Sequence, residues 1–181
     1  HTRSLVPSRG LGDVYKRQVS LLQEWGLSRE AAALGLLAAS AVGLVVATRA
    51  TFAAEVAGCQ VEIGASGAMA AAGVVQAAGG SPQESVQSAA IAFQNTMGMI
   101  CDPVQGMVEI PCHTRNAIAA SSAFVCADLV LGGYVNPIPL DETIDAVYAV
   151  GKMLPRELKC TALGGLSLTP SALALPRRDS D

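Results

Sequence analysis

Read for polarity alone, the chain is a series of long apolar stretches broken by short glycine- and proline-bearing interruptions. Residues 31–48, AAALGLLAASAVGLVVAT, carry no charge, and the run from Ser28 to Arg49 predicts a helix that is hydrophobic all round and therefore central. A second helix is expected over about 62–78, stopping at Gly79-Gly80. Ser81-Pro82-Gln83-Glu84 is a helix start signal, with Ser as N-cap, Pro at the first helical position and Glu closing a capping box, and it predicts a third helix reaching about Met99. Prolines at 103 and 111 and a glycine at 106 forbid helix across 103–111. A fourth helix then begins at His113 or Thr114 and ends at Gly132-Gly133. Pro137 and Pro139 hold a turn, and Asp141 and Glu142 load the first turn of a fifth helix that Pro155 ends. No alternation of strand type persists, so the fold class predicted is all-α. The last eighteen residues, GGLSLTPSALALPRRDSD, read as loop and loose tail.

Composition sharpens this picture. The chain has 181 residues, 51% hydrophobic but only 4% aromatic, so one domain with a core of Ala, Val, Leu, Ile and Met is expected. Small side chains at that density suit close helix–helix approach. The net charge of −3 gives no basic face for nucleic acid. Residues 1–18, basic and without an apolar core segment, are set apart as a non-native or disordered leader, leaving 19–172 as the helical domain and 173–181 as the tail. Without a signal peptide, a reducing cytoplasmic location follows, where thiols serve as ligands, nucleophiles or core filler. The uncharged 31–48 run is near the lower length limit for a membrane span. Its richness in Ala, Gly and Ser, with no flanking aromatic belt, favours a buried helix over a membrane segment.

Five cysteines then become the candidate chemistry. Cys126 sits in a helical run and reads as a core side chain, and Cys160 reads as a surface or packing residue. Cys59, Cys101 and Cys112 fall at element boundaries, the first and last just ahead of helices, where free N–H groups favour thiolate over thiol. Spacing alone leaves metal binding and a structural role both open, because no compact ligand motif is present. Arg115, the only Lys or Arg between Arg49 and Lys152, is expected to pair with Asp102 or Glu109 or to face an anion. Glu62 favours the start of its helix or hydrogen-bonds a ligand; His113, though a tempting base, carries little weight.

GCQVEIGASGAMAAAGVVQAAGGSP, MGMICDPVQGMVEIPCHTRNAIAAS and MLPRELKCTALGGLSLTP together resemble the iron–sulfur L-serine dehydratases, in the C-terminal part of their α subunit or catalytic domain, continuously from about Val19 to Ala172. The resemblance implies a helical domain holding a [4Fe–4S] cluster on Cys59, Cys101 and Cys112, with one iron left open as a Lewis acid for L-serine. Pro103 and Pro111 would stiffen the loop between two of these ligands and Gly106 would let it bend. It also implies elimination of water to give pyruvate and ammonia, with Glu62, Arg115 and Asn116 around the substrate. Only three lysines, 16, 152 and 159, are present, none in a glycine-rich phosphate setting, which weighs against pyridoxal phosphate. A β subunit or domain is the implied partner, in an oligomer, without nucleic acid or membrane. The family's upstream substrate-binding element has no counterpart here, so the chain is expected to be a fragment that holds a cluster but turns over little serine. A non-catalytic helical subunit that packs against a partner is the competing expectation, and a small membrane protein built on 31–48 a third.

Overall fold

The computed structural model describes residues 26–176, so the proposed leader over 1–18 and the last part of the proposed tail lie outside the described residues. Within them the chain is helical with no strand, as the pattern predicts. In chain order the α-helices are α1 (Arg29–Arg49), α2 (Ala54–Ala57), α3 (Ile63–Ala77), α4 (Pro82–Asn95), α5 (Cys112–Leu131), α6 (Leu140–Met153) and α7 (Pro170–Leu173).

The central helix is α3, not α1. Every residue of α3 except Gln76 is buried, because a helix built almost wholly of Ala, Gly, Ser and Val can be approached from all sides. Helix α1 instead buries a stripe of Ala32, Gly35, Ala39, Val42, Gly43 and Val46 and leaves Leu37 and Leu44 each 66% exposed. Apolarity all round the helix hid which side packs. The spacing of the small residues decides it, since they let the backbones meet. A Cβ on Gly35 would lie 2.7 Å from the Gly73 carbonyl oxygen, and one on Gly73 would lie 3.0 Å from that of Gly35. Among the described residues α1 is the one helix long and apolar enough to cross a membrane.

Helices α4 and α5 close the other sides of α3, with Phe93 of α4 among the largest fully buried side chains, and α6 packs on α4 through the fully buried Ile144. The capping box forms as expected: Ser81 Oγ accepts from Glu84 N at 3.2 Å, and Glu84 Oε2 accepts from Ser81 N at 2.7 Å. These bonds hold the Glu84 carboxyl below the usual carboxylate range. Helix α4 stops at Asn95 rather than near Met99. Thr96 Oγ1 turns back onto the Phe93 carbonyl at 3.1 Å and Gly98 takes φ 86°, so the following residues run extended towards the site. On α6, Thr143 ties the helix start to Pro139 and to Gln94 of α4.

The carboxy-terminal stretch is more ordered than a loose tail. A 3₁₀ turn at Gly165–Leu168 is followed by α7, whose Thr169 side chain accepts from Ala172 N. Thr169-Pro170 is a cap followed by a first-position proline, a helix start the expectation of loop passed over.

Candidate functional site

Three segments distant in sequence meet at one end of α3, joined mostly through their backbones. Gly58, with φ 80°, admits the chain so close to Met99 that a Cβ there would lie 2.7 Å from its carbonyl oxygen. The 3₁₀ turn Cys59–Val61 follows. Gln60 N donates to Met99 O at 3.1 Å, its side-chain Nε2 donates to Ala57 O at 2.8 Å, and its Oε1 accepts from Gly98 N at 2.8 Å. Fully buried, Gln60 thereby fastens the Cys59 turn to the approach to Cys101. It is a functional support that sequence reasoning missed, and its one signal was a polar residue beside the cysteine in an otherwise apolar run.

Cys101 is expected at the end of the third helix but lies in extended chain. Its N donates to Leu158 O and its O accepts from Cys160 N, each at 2.9 Å, in an isolated parallel bridge with Lys159. The loop that leaves it contains a 3₁₀ turn at Val104–Gly106 and returns through Val104 N donating to Ile110 O at 2.9 Å. The Ile110–Pro111 peptide is cis. Cys112 is then the first residue of α5.

Cys59, Cys101 and Cys112 are all buried. Cys59 and Cys112 hydrogen-bond each other through their thiols; that bond, reinforced by burial, pushes the Cys59 thiol up, while the same bond favours the Cys112 thiolate against burial. Cys59 therefore does not have the thiolate-favouring setting that a place ahead of a helix suggests, because the neighbouring Cys112 sulfur and desolvation both favour its thiol. Cys101 turns its sulfur to Cys160 in a disulfide with a Cα–Cα distance of 4.8 Å. Cys160 does lie at the surface, as expected, but its bond to Cys101 gives it a role beyond packing. That bond also means that, among the described residues, no three His, Cys, Asp or Glu side chains converge on a single metal position. Cys126, buried in the main core beside Ser122, fills space as expected.

A cavity of about 100 Å³ opens between these segments, walled by Cys101, Cys112, Cys160, Glu62 and Asn116 with Ile63 and Val108. Glu62 caps α3 by position but makes no side-chain capping bond. Burial pushes its carboxyl up, with Glu55 adding to the shift, the reverse of what a first-turn carboxylate stabilised by the helix would show. Asn116 donates from Nδ2 to Cys112 O at 2.9 Å, and its Oδ1 is buried with no partner. Arg115 pairs with Asp102, Nη1 to Oδ1 at 2.8 Å, and also donates to Ile100 O at 3.0 Å. Asp102 Oδ2 accepts from Leu166 N at 2.8 Å, an approach that depends on Gly165, whose φ is 61° and where a Cβ would collide with the carboxylate. Of the two anionic partners considered for Arg115, the structure gives it Asp102, and the guanidinium is placed to position the Cys101 segment. His113 is not on the cavity wall.

An all-helical domain with Cys101, Cys112 and Cys160 on the wall of one small cavity, and Cys59 packed in the same buried cluster as the first two, offers soft sulfur donors for metal ligation or redox exchange. The chain belongs to the serine dehydratase alpha chain family, whose sequence model matches residues 17–167. It is 45% identical over 143 residues to the probable L-serine dehydratase alpha chain of Bacillus subtilis, covering 79% of this chain and 48% of that one. It is also 45% identical over 155 residues to the corresponding protein of Latilactobacillus sakei, covering 86% and 74%. Against the L-serine dehydratase alpha chain of Peptoniphilus asaccharolyticus the figures are 38% over 149 residues, covering 82% and 51%. The chain thus spans about half the length of two of these relatives.

The donor set fits an iron–sulfur cluster. Thiolates are the soft ligands such clusters take, the three candidate cysteines pack in one buried cluster, and Cys101 and Cys112 lie on the same cavity wall.

Proposed function

We propose that this chain carries the cluster-binding part of an iron–sulfur L-serine dehydratase, eliminating water from L-serine to give pyruvate and ammonia. The observation that carries the reading is the packing of Cys59, Cys101 and Cys112 into one buried cluster, although 42 and 11 positions separate them in sequence. When bound to these three thiolates, a [4Fe–4S] cluster supplies one iron free of protein ligands, a Lewis acid for the substrate hydroxyl. The chain's own residues do the rest. The unpartnered Oδ1 of Asn116 is an acceptor on the cavity wall, suited to the ammonium of an amino acid. Glu62, held towards its protonated form by burial, hydrogen-bonds the same substrate. Arg115 acts through Asp102, holding the loop that bears Cys101.

The names of the relatives, alpha chains, support a β chain as partner in an assembled enzyme. Turnover by this chain alone is expected to be slight. The exposed leucines at 34, 37 and 44 on α1 give a packing partner somewhere to sit, and that observation favours the second reading, a helical part whose work is association. Anaerobic reconstitution of the reduced chain with iron and sulfide separates the two. A brown product with about four irons per chain, lost in Cys101→Ala, supports the cluster. Colourless, iron-free protein under those conditions overturns it.

A further inference from the structure

Cys160 is the thiol at the cavity that the cluster reading leaves unused, and it sits on Cys101. The approach is fixed by backbone rather than by a choice of rotamer. Cys160 N–H donates to Cys101 O, Cys101 N–H donates to Leu158 O, and Cα atoms 4.8 Å apart lie within the range disulfides require. Cys160 and Ala162 both take left-handed backbone, φ 60° and 53°, rare for residues with a side chain. That unusual turn is what presents the Cys160 sulfur to the cavity. The two partners also differ in access: Cys101 is buried, and Cys160 is solvent-exposed. Cys59 and Cys112 are both buried and free. Of these four cysteines, only Cys160 is placed where an oxidant in solution can reach it.

We propose that Cys101 and Cys160 are a reversible redox pair that withdraws Cys101 from iron ligation when oxidised and returns it when reduced. The inference rests on the reading of Cys101 as an iron ligand. A low-molecular-weight disulfide, RSSR, is the oxidant. The exposed Cys160 thiolate attacks one of its sulfurs, forming a mixed disulfide and releasing RS⁻. The Cys101 thiolate then attacks Cys160 Sγ, expelling the second RS⁻. The two cysteine protons end on two RSH, so two electrons pass from the protein thiols to the oxidant. A dithiol or phosphine reverses the change. A sulfur held in a disulfide has no thiolate to give to iron, so oxidation removes one of three ligands without cutting or unfolding the chain.

The test uses the full chain, reduced anaerobically, freed of reductant and treated with glutathione disulfide. Digestion at acidic residues separates the candidates, because Glu62, Asp102 and Glu109 lie between Cys59, Cys101 and Cys112. Non-reducing peptide mass mapping is expected to find the Cys101 peptide joined to the Cys160 peptide. Cobalt(II) alone, read by its thiolate charge-transfer bands, reports ligation without sulfide, which would itself reduce a disulfide. The oxidised chain is expected to bind cobalt at least about tenfold more weakly than the reduced chain, while Cys160→Ser treated alike keeps the reduced affinity. Absence of the 101–160 link, a 59–112 link in its place, or equal cobalt affinity in the oxidised and reduced chains overturns the proposal. Absence of cobalt bands from the reduced chain overturns the metal reading and with it the gating of a ligand. The mapped bond stands or falls separately.

Discussion

Replacing Asp102 with alanine is the sharpest test of how the site is held together. The Asp102 side chain is 2% exposed and that of Arg115 22%, so the pair is shielded but not dry. Deleting the carboxylate strips Arg115 of its charged partner and leaves it the Ile100 carbonyl. It also leaves Leu166 N–H without its acceptor. A hydrogen bond to a charged group contributes about 1.5–3 kcal/mol, and an orphaned donor costs about 1–3 kcal/mol. The sum, about 2.5–6 kcal/mol, spans the roughly 3–5 kcal/mol seen when one member of a buried pair is removed, and the partial solvation of Arg115 places it near the lower end, about 3 kcal/mol. For a domain of this size each kcal/mol lowers Tm by about 2–4 °C, so Asp102→Ala should melt roughly 6–12 °C below the parent. Adding Arg115→Met should recover part of the loss, because the uncompensated charge goes with it. The measurement is thermal melting of the reduced chain by far-ultraviolet circular dichroism, completed as a double-mutant cycle. A melting point for Asp102→Ala within about 2 °C of the parent, or strict additivity of the two substitutions, would refute the argument that this pair clamps the Cys101 loop.

Two further substitutions bear on the same region. Gly58→Ala puts a Cβ at 2.7 Å from Met99 O and 2.8 Å from Leu154 Cδ1 on a residue with φ 80°; urea unfolding should show a loss of at least about 1–3 kcal/mol, and an unchanged midpoint would mean that the approach of the two segments relaxes freely. Glu62→Gln should stabilise the chain at neutral pH: the Glu62 pKa is raised on folding, so the native state binds the proton more tightly and the glutamate's contribution falls as pH climbs from its ordinary 4.5 through the raised folded value. The difference between parent and variant should therefore vanish below about pH 4, and a gap that widens on acidification would contradict the burial argument.

How far the sequence foretold these results depends on how local each cause is. The capping box at Ser81 and the acidic first turn of α6 are settled within a few residues, so they were readable. The interchange of α1 and α3 was not, because Gly35 and Gly73 reveal their meaning only when set against each other. At the site, the resemblance named Cys59, Cys101 and Cys112 from their motifs, and the structure packs them in one buried cluster. Arg115 was legible as a group needing an anion because no other cation lies near it in sequence. Cys160 was not legible: its place depends on a chain that returns after 59 residues to lie parallel to Cys101, and no local pattern encodes that return. Gln60 escaped for a similar reason, since its partners at Ala57 and Gly98 lie on two different segments.

The turns that carry Cys59, Cys101 and Cys160 are stitched to one another through peptide groups and the amide of Gln60, bonds that persist when the Cys101–Cys160 disulfide is reduced. Scaffold and reagent are consequently separable. A serine or alanine can stand at 59, 101, 112 or 160 while the surrounding carbonyls and amides keep their pairings, so each sulfur can be subtracted in turn and what is lost read as chemistry rather than collapse.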